Sequence, residues 1–67
     1  MNTFESKINM VKERCKNNLF LHYKCDSDIA LYLAQEDAKI IWLLTNEKHW
    51  VDIMDDLEKE LKIEGRI

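Results

Sequence analysis

The residues best suited to hold a metal ion are two cysteines and two histidines, Cys15, Cys25, His22 and His49. Zinc takes four such donors in a tetrahedral array. Their spacing does not favour a zinc site, because the two cysteines do not form a close pair and His49 belongs to a separate segment. We therefore expect a buried thiol at Cys15, a His22 that caps the first helix, a solvent-facing His49, and neither a metal nor another cofactor.

Nucleophilic catalysis by a cysteine would need a histidine base and oxyanion donors in one pocket. The chain has a single glycine, Gly65, and no proline, so it lacks nucleophile elbows and the glycine-rich loops that cradle phosphates. Around Asp52, Asp55 and Asp56 there is no loop of alternating oxygen donors for a hard cation. These patterns predict a protein that is not an enzyme and has no catalytic residues.

The net charge of −3 is unevenly distributed along the chain. Residues 1–25 carry five bases and two acids, whereas residues 26–67 carry five bases and eleven acids. The simplest interpretation is a basic first helix that lies beside an acidic last helix in one bundle.

Two alternative functions follow from the same charges. The first is nucleic-acid binding by the basic residues of the first helix, Lys7, Lys12, Arg14 and Lys16. The second is imitation of nucleic acid by the acids of the last helix and tail, Asp52, Asp55, Asp56, Glu58, Glu60 and Glu64. A solvated helix face would show the same acids.

The spacing of apolar residues predicts the first helix from about Thr3 to about Tyr23. Asn2 and Glu5 form a capping-box pattern at its start. Its core-facing residues follow a four-three-four spacing and are Phe4, Ile8, Val11 and Cys15. The segment Leu19–Cys25 also has the alternation of a strand, which could pair with Lys39–Thr45 in a small α+β fold. We favour the all-α fold, a three-helix bundle or helical hairpin array.

The second helix is predicted from Asp28 to Leu44, with Asp26 and Ser27 as its start signal. Its apolar residues occupy two sides. The predicted core side consists of Ile29, Leu33, Ile40 and Leu44, widened by Ala30, Ala34, Ala38 and Ile41. The opposite side consists of Leu31, Tyr32, Trp42 and Leu43. Asp37 falls within the core side, which indicates a break in the helix, a basic partner or partial exposure. A break is the favoured explanation.

The third helix is predicted to begin at caps provided by Thr45 and Asn46, with Glu47 in its first turn. Its apolar stripe is Trp50, Ile53, Met54, Leu57 and Leu61. The matching stripes of the first and third helices predict that these two helices pack on the two faces of the second. All 67 residues form one small domain, and residues 63–67 are expected to fray.

Three short helices are not expected to cover all of these apolar residues. The predicted partner-binding residues are Phe20, Leu21, Tyr23, Leu31, Tyr32, Trp42 and Leu43. Their excess predicts a regulatory interaction protein, which forms a homodimer or binds and inhibits a larger protein. No membrane span or secretory signal occurs in the sequence, so we expect a cytoplasmic location with free thiols. We also expect so small a chain to come from a phage or another mobile element.

Overall fold

The computed structural model describes residues 3–67 and contains three α-helices in that range. They are α1 at Thr3–Cys25, α2 at Asp28–Thr45 and α3 at Trp50–Ile63. The predicted all-α three-helix bundle is confirmed. The alternative sheet is wrong, because Leu19–Cys25 lies in α1 and Lys39–Thr45 lies in α2. The predicted cap at Asn2 lies outside the described residues. None of the three helices is both long and apolar enough to cross a membrane.

Helix α1 continues through Asn17 and Asn18 because the residues around them make tertiary contacts. Leu19 is buried in the core, and the amide of Asn18 donates a hydrogen bond of 3.2 Å to Asp37 on α2. Ile8 and Cys15 are buried as predicted. Phe4, which the same spacing assigned to the core, is 48% exposed, so that prediction is wrong for the first turn.

Both ends of α2 are capped. The Ser27 hydroxyl accepts a hydrogen bond from the N–H of Ala30 at 3.2 Å, as expected for an N-cap serine. At the other end Asn46 has a left-handed backbone (φ 51°), and its N–H donates to the carbonyl of Trp42 at 2.7 Å. These contacts close α2 at residues 45–46.

The predicted start of the third helix is therefore wrong. Thr45 is the last residue of α2, where its hydroxyl donates to the carbonyl of Ile41 at 2.9 Å, and Asn46 caps the same helix. The N-cap of α3 is His49, whose Nδ1 accepts the N–H of Val51 at 3.3 Å. Glu47 lies in the connecting segment.

The rotation of α2 about its axis differs from the prediction. Its buried side is Ala30, Ala34, Ala38 and Ile41, and the Cys15 thiol donates to the carbonyl of Ala34 at 3.2 Å. Small alanine side chains permit this close approach of α1 to α2. The residues predicted to be at the centre of the core side are instead 39% to 74% exposed: Ile29, Leu33, Ile40 and Leu44.

Helix α2 is also unbroken, so the favoured explanation for Asp37 is wrong. The Asp37 side chain is buried and accepts hydrogen bonds from Arg14 and Asn18 of α1. The alternative in which Asp37 meets a basic group is confirmed. These contacts offset the cost of removing a carboxylate from water.

Helix α3 contacts both other helices and buries Ile53, Leu57 and Leu61. Because α1 and α3 also touch each other, the three helices enclose one core, and the prediction of two separate faces of α2 is too simple. Trp50 and Met54 pack against this core and are partly buried.

The chain beyond α3 folds back on α1. Gly65 adopts a left-handed backbone (φ 74°) at the end of α3, and the N–H of Arg66 donates to the carbonyl of Leu61 at 2.9 Å. The guanidinium of Arg66 lies 4.7 Å from the centre of the Phe20 ring, and Ile67 packs against the core. Arg66 and Ile67, at the end of the segment predicted to fray, thus contact α1 and the core.

Candidate functional site

The cysteines and histidines are dispersed in the structure. Cys15 is fully buried, and burial raises the pKa of its thiol to about 12, with a further contribution from Asp37. Cys25 is exposed at the end of α1. Nδ1 of His22 lies 3.1 Å from the carbonyl oxygen of Ser27, to which it donates. Among residues 3–67 no group of three or more histidines, cysteines or acids could hold a metal ion.

His49 lies between two tryptophans. Its ring centre is 4.9 Å from that of Trp42 and 5.6 Å from that of Trp50. The Nζ of Lys39 lies 5.1 Å from the centre of the Trp50 ring. Together with the N-cap hydrogen bond to Val51, these contacts give His49 a role in holding α3 against α2.

Two of the basic residues of α1 contact carboxylates. Lys16 is 8% exposed, and its Nζ lies 2.7 Å from Glu64 and 3.9 Å from Glu60. The hydrogen bond with Glu64 raises the pKa of Lys16 and lowers that of Glu64. Arg14 pairs with Asp37, and their hydrogen bond raises the pKa of the guanidinium. Part of the positive charge of α1 is thus used within the bundle.

Most of the acids proposed as a nucleic-acid mimic also form ion pairs within the chain. Asp56 pairs with Lys48 at 2.6 Å, and this hydrogen bond lowers the pKa of the carboxyl. Glu58 pairs with Lys62 at 3.3 Å. With Glu60 and Glu64 on Lys16, four of the six acids lie beside a lysine. Their charges are thus partly offset within the chain.

The most distinctive surface is the side of the α1–α2 hairpin that α3 leaves uncovered. Leu31 and Trp42 of α2 pack towards the core shared with α3. Residues on the opposite side of α2, by helical spacing, are exposed together with two residues of α1. We name this surface the hairpin face, and its apolar residues are Met10, Leu21, Ile29, Leu33, Ile40 and Leu44. Tyr32 and Leu43 extend it at its edge.

The apolar side chains of the hairpin face are widely accessible. Met10 is 71% exposed, Ile29 is 74% exposed and Leu43 at the edge is 76% exposed. Scattered single apolar residues are normal on protein surfaces, whereas a contiguous apolar patch marks an interaction site. The exposed apolar residues of the hairpin face lie on one side of two neighbouring helices.

The two helices run in opposite directions across the hairpin face. Cys15 contacts Ala34 and Arg14 contacts Asp37 near the middle of α2, and Met10 lines a shallow groove with Leu44 near its end. Leu21 therefore lies towards the beginning of α2. Each end of the face thus presents apolar side chains from both helices.

Polar groups occupy the middle of the hairpin face. Nη2 of Arg14 lies 2.8 Å from Oδ1 of Asp37, and the Arg14 side chain is 60% exposed. On α2, Glu36 pairs at 3.4 Å with Lys39, which lies at the edge of the face next to Trp50 of α3, and both side chains are partly exposed. The centre of the face therefore offers charges of both signs between two apolar ends.

Exposed and partly exposed residues of α2 follow the repeat of a coiled-coil seam. Ile29, Leu33, Glu36, Ile40 and Leu43 are spaced four, three, four and three residues apart. Side chains at this spacing fit between those of a second helix with the same repeat. Since α1 and α3 pack on the other side of α2, this seam has no partner among residues 3–67.

The seven residues predicted to bind a partner do not form one surface in the structure. Leu21, Tyr32 and Leu43 belong to the hairpin face or its edge. Leu31 and Trp42 pack against the core. Phe20 lies under Arg66. Tyr23 is exposed next to Glu58, and partial desolvation together with a hydrogen bond to Glu58 raises its pKa.

Five residues of the hairpin face were not among those predicted to bind a partner: Met10, Ile29, Leu33, Ile40 and Leu44. The signal that identifies them is the position of the alanines. Ala30, Ala34 and Ala38 mark the side of α2 that approaches its neighbours most closely, so the bulky residues opposite face outwards.

No protein-family model, curated protein or solved structure matches the chain. Its function has to be inferred from the side chains themselves.

Proposed function

We propose that this chain is a small regulatory protein without enzymatic activity, which docks on another protein chain through the hairpin face. The observation that carries the proposal is the set of large apolar residues exposed on one side of α1 and α2, opposite α3. A contiguous apolar surface with polar groups among it is typical of a protein–protein contact.

The spacing on α2 favours an α-helix as the element that is bound. A seam with the four-three repeat packs against another helix with interdigitating side chains. Binding of this kind regulates a partner by covering part of its surface, as inhibitors and adaptors do. The proposal places the protein in the cytoplasm, where thiols such as those of Cys15 and Cys25 stay reduced.

The nucleic-acid alternatives receive less support from the charges. Nucleic-acid affinity depends on cations that are free to neutralise phosphates. Arg14 and Lys16 already contact Asp37 and Glu64. A role as a nucleic-acid mimic likewise receives less support, because the carboxylates of Asp56 and Glu58 contact lysines.

Affinity capture from an extract of the host cells tests the proposed docking function. The immobilised proteins are the wild type, the Leu43→Gln variant, and a control with Ile63→Gln. Ile63 is 86% exposed on α3 and Leu43 is 76% exposed, so neither change removes core packing. We expect the wild type and the control to retain a protein that Leu43→Gln does not retain. Equal retention by all three would contradict docking through this face.

A further inference from the structure

We infer that the hairpin face binds a second copy of this chain, with the two α2 helices packed antiparallel about a two-fold axis. This inference rests on the proposed docking function and names its partner. Two features carry it: the repeat of the seam and the distribution of charge along it.

The seam is complementary to itself in the antiparallel orientation. An axis level with Ala38 places Leu33 opposite Leu43 of the second copy and Glu36 opposite Ile40 of the second copy, while Ile29 lies beyond the end of the second copy's α2. The four-three repeat alternates two positions along the seam, and each facing pair of residues then contains one of each, as in antiparallel coiled coils. The same rotation brings the Met10 end of α1 towards the Leu21 end of α1 in the second copy.

The charges select this orientation over the parallel one. In a parallel pair Glu36 would face Glu36 of the second copy, and like charges at a seam position destabilise a pair. In the antiparallel pair Lys39 of the second copy lies one residue from the position opposite Glu36. Glu36 is a seam residue, and Lys39, which pairs with it at 3.4 Å, flanks the seam on the side of Trp50.

Sedimentation equilibrium of the full chain between about 1 and 200 µM tests the inference, because dimerisation depends on concentration. We expect the wild type and the Ile63→Gln control to reach the dimer mass. Leu43→Gln should raise the dissociation constant about 30-fold, as loss of an interface anchor does. Thermal unfolding of each variant, followed by circular dichroism, verifies that it is folded.

Charge-reversal variants distinguish a specific antiparallel dimer from nonspecific hydrophobic association. The Glu36→Lys chain and the Lys39→Glu chain should each self-associate about tenfold more weakly than the wild type. A mixture of the two should form heterodimers with near wild-type affinity, because opposite charges then meet across the axis. No recovery in the mixture would contradict the antiparallel pair.

These experiments distinguish failure of the dimer from failure of docking through the hairpin face. A wild type that stays monomeric up to 200 µM overturns the second copy as partner. If Leu43→Gln still abolishes capture of a different protein from the extract, docking through the hairpin face is retained. If the wild type dimerises and Leu43→Gln has no effect, both the named interface and its use for self-association are overturned.

Discussion

Arg14 on α1 and Asp37 on α2 are joined by an ion pair of 2.8 Å at the middle of the hairpin face. Nε of Arg14 also donates to Oδ1 of Asp37 at 3.1 Å, and Asn18 donates to Oδ2 at 3.2 Å. The carboxylate is nearly buried, whereas the guanidinium remains largely exposed. The pair fixes the relative position of two helices whose bare side we propose as the docking surface.

Removal of the arginine alone should destabilise the fold. Arg14→Ala leaves a buried carboxylate with Asn18 as its remaining side-chain donor. Because solvent screens the exposed guanidinium, we expect a loss of about 2 kcal/mol in the free energy of unfolding, less than for a fully buried pair. The double variant Arg14→Met, Asp37→Leu should recover most of this loss. Urea unfolding measures both, and a loss below about 0.5 kcal/mol for Arg14→Ala would contradict the assigned role.

The cap of α2 gives a prediction that does not involve the hairpin face. Ser27→Ala removes the hydroxyl that accepts the N–H of Ala30, so the free energy of unfolding should fall by about 1 kcal/mol. Ser27→Asp keeps an acceptor at the same position and should remain near the wild-type value. Thermal or urea unfolding of the two variants measures the difference. Equal stability of the alanine and aspartate variants would show that the hydroxyl is not the cap.

The two thiols should react at very different rates with a disulfide reagent at pH 8. The thiolate is the reactive form, and Cys15 combines complete burial with a pKa raised to about 12. Cys25 is exposed. One thiol per chain should therefore react rapidly, and the second only as the protein unfolds. A Cys25→Ser chain should show no rapid reaction, and rapid modification of that chain would mean that Cys15 is accessible.

Acid should weaken the contact between α1 and the end of α3. The hydrogen bond from Lys16 lowers the pKa of Glu64 below the value of about 4.3 expected in the unfolded chain. This stabilisation is complete above the unfolded pKa and is lost as the pH falls through the lower folded pKa. The free energy of unfolding of the wild type should therefore decrease below about pH 4.5. Urea titrations from pH 7 to 3 should show a smaller decrease for Lys16→Gln, and an equal decrease would contradict this assignment.

Much of the helical architecture could be predicted from the sequence. The apolar stripe of α1 and the start signal at Ser27 depend on local chemistry, and both are present in the structure. The end of α2 was harder to predict. Thr45 and Asn46 are good caps for a following helix, but Asn46 can also adopt the left-handed conformation that ends the preceding one. Only the tertiary structure decides between these uses.

The rotation of α2 could not be predicted because apolar side chains occur on every side of that helix. Hydrophobicity alone favoured Ile29 and Leu33 as core residues, although both are exposed. Close packing instead selected the side with Ala34 and Ala38, where α1 can approach. The bulky residues were left on the surface, and this surface is the basis of the proposed function.

Disulfide cross-linking of two variants tests the antiparallel dimer most directly. One chain carries Leu33→Cys and the other Leu43→Cys, both with Cys25→Ser, and buried Cys15 is left unchanged. The proposed axis places these two positions opposite each other and separates identical positions by about 15 Å along the helix. We expect a mixture of the two chains to form a cross-linked dimer rapidly under mild oxidation, and each chain alone to form little. The absence of cross-linking in the mixture, or equal cross-linking of each chain alone, would contradict the account.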